Sequence, residues 1–172
     1  MLYCFDHTEQ YLDNAISYIL SGIEQGEHVI FIESERNILL LSKRLECLLT
    51  PDQLGRIHYH NNFEFYWSTG DSHTASIVSY FKDILEPFLS ENVPVRTWAH
   101  VEWGQETNIE EKIIGFEQVA DENVRAMNML SVRAYHSARL TDSLKESLLL
   151  YHSHLITDGH IEALSQQQSP AE

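Results

Sequence analysis

The run Val95-Arg96-Thr97-Trp98-Ala99-His100-Val101-Glu102-Trp103 constrains the fold of this chain more than any other stretch. Its β-branched and aromatic content is that of a buried strand, and it carries a carboxylate at its far end. Alternation sends Val95, Thr97, Ala99, Val101 and Trp103 to one face of a sheet, and Arg96, Trp98, His100 and Glu102 to the other. A second run, His28-Val29-Ile30-Phe31-Ile32-Glu33, is apolar almost without interruption, as strands covered on both faces are. Such strands belong to parallel sheets sandwiched between helices, where ligands lie at the carboxyl ends of the strands. Glu102 and Trp103 therefore fall at the lip of the expected crevice.

Strand and helix patterns alternate through the rest of the chain. Residues 2–6 predict a first strand. Residues 9–25 predict a helix striped by Leu12, Ala15, Ile16, Ile19, Leu20 and Ile23, with Thr8 as N-cap and Gly26 as stop. Further helices are predicted over 36–49, from Ile77 to Phe88, and over 109–124 and 141–155. Further strands are predicted over 57–60, 127–135 and 156–161, and residues 61–71 read as an aromatic-rich loop. The expected fold is α/β: three layers, with a mostly parallel sheet and helices on both faces, forming one domain over 1–164. The Gln- and Ser-rich residues 165–172 read as a disordered tail.

Charge narrows the choice of partners. Eleven Lys and Arg against 26 Asp and Glu give a formal charge of -15, which repels nucleic acid and anionic lipid alike. Neither direct DNA binding nor a membrane role is expected, and no apolar run approaches the roughly 20 residues that span a bilayer. Two cysteines, Cys4 and Cys47, make no disulfide framework, which fits a reducing cytoplasm.

Several chemistries are disfavoured. The turn after the first strand, Phe5-Asp6-His7-Thr8-Glu9-Gln10, has no glycine and no lysine, so it cannot cradle phosphates as a P-loop does. No Gly-x-Ser-x-Gly elbow is present. His58 and His60 share a strand face, as do His100 and Glu102, and His152 and His154 flank a helix end. Without His-Glu-x-x-His or Cys-x-x-Cys spacing these read as surface or capping histidines, so no metal and no cofactor are expected. Asp6, Glu102 and Glu117 could pair for acid–base work. Glu117 lies at the edge of the helical stripe Ile109, Ile113, Phe116, Ala120 and Val124, and a half-buried carboxylate needs a partner. Arg133 and Arg96 are the candidates, and a structural ion pair or a ligand-facing role fits equally. Tyr66, Trp67, Trp98, Trp103 and Tyr135 could line an apolar pocket, although Trp98 reads better as core, and Tyr66 and Trp67 could simply anchor a loop.

Cys4-Phe5-Asp6 with Tyr11-Leu12, the stretch from Tyr18 to Ile32 containing Ser21-Gly22-Ile23-Glu24-Gln25-Gly26-Glu27, then Tyr66, Val95 to Trp103, Phe116-Glu117 and Tyr135 together resemble the MEDS domain family. That family comprises sensory domains of methanogens and of the methylotroph DcmR type. The resemblance runs from about Tyr3 to Ile161. It implies a RecA/KaiC-like fold that has lost its phosphate-binding loop (no Walker A), with Glu102 at the acidic position of the central strand. It also implies that the 127–135 strand lies between the first strand and the central one, gathering Asp6, His7, Glu102, Trp103, Arg133 and Tyr135 at one crevice. The family commonly has Cys and Asp flanking the later Tyr, where this chain has Arg133 and His136.

The resemblance implies a stand-alone cytoplasmic sensory module that binds a small organic ligand and regulates a partner protein in trans, a histidine kinase or a transcription regulator, without catalysis. A homo-oligomer is compatible with it. The expected ligand-facing set is Asp6, His7, Tyr66, Trp67, Glu102, Trp103, Glu117, Arg133 and Tyr135. The competing readings are an α/β enzyme using Glu102 as base, with or without a His-bound metal, and an interaction protein whose acidic face docks on a basic partner.

Overall fold

A computed structural model describes residues 1–67, 74–104 and 108–164, with the Trp67 side chain outside that description. The strands are β1 (Leu2–Phe5), β2 (His28–Glu33), β3 (Ile57–Asn61), β4 (Val95–His100), β5 (Ser131–His136), β6 (His154–Thr157) and β7 (His160–Ala163). They form one sheet in the order β3-β2-β4-β5-β1-β6-β7. Every neighbouring pair is parallel except β6 and β7 at one edge. β5 does lie between β4 and β1, with Cys4 opposite Tyr135 and His100 opposite Ala134.

Alternation along these strands makes the three layers. Tyr3, Phe5, Val29, Phe31, Trp98, Val132 and Ala134 face one way, where α1 (Thr8–Glu24) and α2 (Glu35–Glu46) cover them with Leu12, Ile19, Leu41 and Leu45. Leu2, Cys4, Ile30, Ile32, Ala99, Val101 and Tyr135 face the other way. They pack against α4 (Asn62–Trp67), α5 (Thr74–Ser90), α6 (Ile109–Ala126) and α7 (Asp142–Leu149). α3 (Pro51–Leu54) is a single turn set by a Thr50–Gln53 capping box.

Local chemistry moves several boundaries from their expected places. Residues 62–67 are helix rather than loop, because the Asn61 side chain accepts the Glu64 N–H at 3.1 Å and caps the turn. The first helix begins at Thr8, so its N-cap is His7 and not Thr8. β5 begins at Ser131 rather than 127, since Asn128 takes a left-handed conformation (φ 50) that closes α6. α7 stops at Leu149, and the following residues feed His152 inward and β6 onto β1. The last predicted strand is a hairpin folded at Asp158-Gly159, a dipeptide suited to tight turns. The expected disorder of 165–172 lies outside the described residues, as do 68–71 of the predicted loop.

The Ser-Gly-x-x-x-Gly-Glu stretch has a structural reason. Gly26 (φ 78) ends α1 in a Schellman arrangement, with Glu27 N–H on Gly22 O at 2.9 Å and Gly26 N–H on Ile23 O at 3.1 Å. That turn brings the Glu27 carboxylate onto the guanidinium of Arg96, which is 3% exposed and also donates to Tyr18 O at 3.2 Å. A Cβ on Gly22 would stand 2.9 Å from Arg96 Cδ and Nε, so glycine is what lets α1 lie over this buried ion pair. Arg96 is thereby removed as a partner for Glu117.

Candidate functional site

Beyond the last paired residue of β4, the chain leaves the sheet at Val101 and delivers Glu102 and Trp103 to its carboxyl edge. They help enclose a cavity of about 40 Å³, with Ile77, Val101, Ile109, Ile113 and Phe116 as apolar walls and Tyr66 from α4 across from them. By that measure about 10–15 Å³ holds one water, so there is room for a few non-hydrogen atoms. The Tyr66 ring stands edge-on to Phe116 at 5.9 Å. Its hydroxyl is buried and, among the described residues, meets no hydrogen-bond partner. The Arg139 guanidinium lies 4.7 Å over the Trp103 ring and donates to its carbonyl, which holds Trp103 in place. A larger cleft of about 480 Å³ opens at the amino ends of β1 and β5, among Asp121, Arg125, Asn128 and Ser131. It lies at the end of the sheet away from the strand carboxyl termini.

A buried charge cluster lies behind this cavity. Glu117 (0% exposed) meets Arg133 Nε and His152 Nε2, and accepts the Tyr135 hydroxyl. Arg133 Nη2 and His152 Nδ1 are 3.2 Å apart. Because the arginine can only donate, the imidazole accepts there and carries its proton on Nε2, facing Glu117. Burial opposes the Glu117 charge, but Arg133, then His152 and Tyr135, outweigh it and hold its pKa down at about 2. Burial likewise lowers the His152 pKa. The Tyr135 ring is 6.0 Å from that of Trp103, which links cluster and cavity.

Across the sheet, Glu33 ends β2 and is completely buried. It accepts from the Tyr11 hydroxyl, from Ser34 N–H at 2.6 Å and from His100 Nδ1, 2.8 Å away. Burial works against its charge, yet His100 and the other donors lower its pKa. The His100 pKa is raised, since Glu33 and Glu102 outweigh the loss of solvent. Asn62 donates to Glu102 Oε2 at 2.8 Å, and one ligand atom each of Glu33, His100 and Glu102 lies within 4.8 Å of the others.

The turn after β1 is closed from within the chain. The Asp158 carboxylate, in the β6–β7 hairpin, accepts the backbone N–H groups of Asp6 (3.2 Å) and His7 (3.0 Å) and the Tyr3 hydroxyl (2.8 Å). An acceptor from the protein thus takes the amides at the start of α1.

The expected set is therefore distributed over three places. Tyr66, Glu102 and Trp103 line the cavity; Glu117, Arg133 and Tyr135 form the buried cluster behind it; Asp6 and His7 are exposed at the closed turn. The Trp67 side chain lies outside the described residues, and Trp98 is core, donating from Nε1 to the Tyr11 hydroxyl at 2.9 Å. Two histidines depart from the surface reading: His100 is 6% exposed and His152 2%. Asn62 and Asp158 carried no sequence signal, Glu33 only that of closing an apolar run, and Tyr11 only its place in the family resemblance. Cys4 is buried with its pKa pushed up to about 11, so its thiol stays protonated.

This is a parallel α/β domain with a small cavity at the strand ends and a first turn occupied by its own carboxylate. The family described as MEDS, the MEthanogen/methylotroph, DcmR Sensory domain, matches residues 1–153, and the chain belongs to it. MEDS is a sensory domain family. The matched segment ends just before the β6–β7 hairpin that supplies Asp158. No curated protein matches the chain. No helix among the described residues is long and apolar enough to cross a membrane.

Proposed function

We propose that this sensory domain binds a small organic molecule in the cavity between Tyr66 and Trp103 and regulates a partner protein in trans, a histidine kinase or a transcription regulator, without turnover. The observation that carries the reading is the small cavity at the strand ends lined by Tyr66, Glu102 and Trp103 among apolar side chains, with the Tyr66 hydroxyl buried and, among the described residues, without a hydrogen-bond partner. An apolar wall with one or two polar groups is the usual make-up of a small-molecule site. A ligand that satisfies the hydroxyl favours the arrangement in which α4 and the Trp103 segment are closed around it, and the partner reads that shift in population. Membership of a sensory family supports the same role.

Differential scanning fluorimetry with a library of small, mostly apolar organic molecules tests this. A compound that stabilises the domain saturably, and binds at least tenfold more weakly to Trp103→Ala, is the expected result. A library that stabilises nothing, or stabilisation unchanged in both Trp103→Ala and Tyr66→Phe, overturns the proposal.

A further inference from the structure

We propose that Glu33, His100 and Glu102 form a site for one divalent transition-metal ion, of the Zn²⁺ or Mn²⁺ type. The inference stands apart from the organic-ligand reading, although Glu102 borders both places.

Geometry comes first. Adjacent strands β2 and β4 end side by side, with Ile32 opposite Ala99, so their next residues, Glu33 and His100, meet at the sheet's carboxyl edge. Glu102 returns to the same point two residues later. One ligand atom from each lies within 4.8 Å of the others. Ligands held about 2.1 Å from one ion stand roughly 3 Å apart, so the three must close by an ångström or so. The partly exposed Glu102, on the segment beyond the sheet, is the member able to move; Glu33 and His100 are fixed by packing.

Charge points the same way. Two carboxylates face a single imidazole, and among the described residues no lysine or arginine reaches Glu33. The cluster holds one carboxylate more than the single imidazole can balance, and a divalent ion would neutralise the pair. The outer contacts resemble those of a supported metal site: Tyr11 and Ser34 N–H orient Glu33, Trp98 in turn orients the Tyr11 hydroxyl, and Asn62 holds Glu102. One nitrogen and two oxygens suit zinc, manganese or iron rather than a soft ion such as Cu(I). Three protein ligands would leave a coordination position for water or for an oxygen of a bound molecule.

The test uses the whole chain, stripped with a chelator and desalted, then titrated calorimetrically with Zn²⁺ and Mn²⁺; Co²⁺ reports ligand geometry through its visible absorption. One equivalent bound at micromolar affinity or tighter is expected. Glu102→Gln, at the least buried ligand, should weaken it by at least the roughly 10- to 100-fold that loss of an outer contact costs, with an unchanged melting temperature of the metal-free chain. A His154→Gln/His160→Gln variant, altered at a partly exposed and an exposed histidine near the other edge, should bind as the unmodified chain does. Sub-stoichiometric binding, full affinity in Glu102→Gln, or loss in the His154/His160 variant would overturn the site. Since no organic compound is present, these outcomes are separate from those of the ligand screen.

Discussion

The Asp158 carboxylate accepts the backbone N–H of His7 at 3.0 Å, so the start of α1 is closed by a residue 151 positions further along the chain. The same carboxylate takes the Asp6 N–H and the Tyr3 hydroxyl. Substituting Asp158→Asn keeps the shape and removes the charge that suits a helix amino terminus. A loss of about 0.3–1 kcal/mol, the size of a charge at a helix terminus, is expected as a lower midpoint of urea unfolding at unchanged slope. A midpoint within error of the unmodified chain would show that the contact contributes nothing.

Asp158 also shows what a sequence leaves unsaid. Strand–helix alternation and the buried runs at β2 and β4 were legible, because periodicity and β-branched content report directly on which faces are covered, whereas the order β4-β5-β1 was expected from the family resemblance alone. Glu117 was legible too, as a carboxylate on an apolar stripe. Its partner was open between Arg133 and Arg96 because sheet register, which local pattern does not encode, decides it. Glu33, His100 and His152 were missed for a related reason. Each sits at the end of an element and reads as a surface group until the neighbouring strand or helix is placed over it.

The buried Glu117–Arg133 pair should behave as an uncompensated charge when halved. Arg133→Met alone leaves a fully buried carboxylate, and a loss of about 3–5 kcal/mol is expected from chemical denaturation. The double variant Glu117→Leu/Arg133→Met removes both charges and should recover much of that loss. If the double variant is as unstable as the sum of the singles, the pair is not coupled.

Acid should act on the same cluster in two stages. His152 has a folded pKa below its ordinary 6.5, so below that pH the unfolded chain takes up a proton that the folded one refuses, and stability falls. Glu117, held at about 2 against an ordinary 4.5, adds stability that is complete above 4.5 and is lost between 4.5 and 2. Both effects have the same sign. The slope of unfolding free energy against pH should therefore be positive from 6.5 downwards, and its 4.5-to-2 portion should flatten in the Glu117→Leu/Arg133→Met double variant. An unchanged slope there would move the linkage to other groups.

Gly22→Ala sets two terms against each other. Alanine in a helix interior gains about 1 kcal/mol over glycine, but overpacking costs about 1–3 kcal/mol. The new Cβ would meet Arg96 Cδ and Nε at 2.9 Å and Val29 Cγ2 at 3.2 Å. Arg96 has little freedom to withdraw, being held by Glu27 and Tyr18 O. The substitution should thus lower the melting temperature, by a few degrees. In an Arg96→Met background the clash is relieved and the same change should turn neutral or stabilising. A melting temperature raised by Gly22→Ala alone would mean that the ion pair shifts aside freely.

Tyr66→Phe separates stability from binding by sign. Its hydroxyl is buried and, among the described residues, has no partner, and such a group costs about 1–3 kcal/mol of desolvation that no bond returns. Removing it should leave the free domain as stable or about 1 kcal/mol more stable, since the ring and its contact with Phe116 remain. A ligand that hydrogen-bonds to that hydroxyl should then bind Tyr66→Phe roughly tenfold less tightly, although the protein that binds it is the sturdier one. A residue retained only for packing would show neither effect: phenylalanine would match tyrosine in affinity for every compound. Higher stability with weaker binding is the signature of a polar group kept for its ligand at the expense of the empty fold.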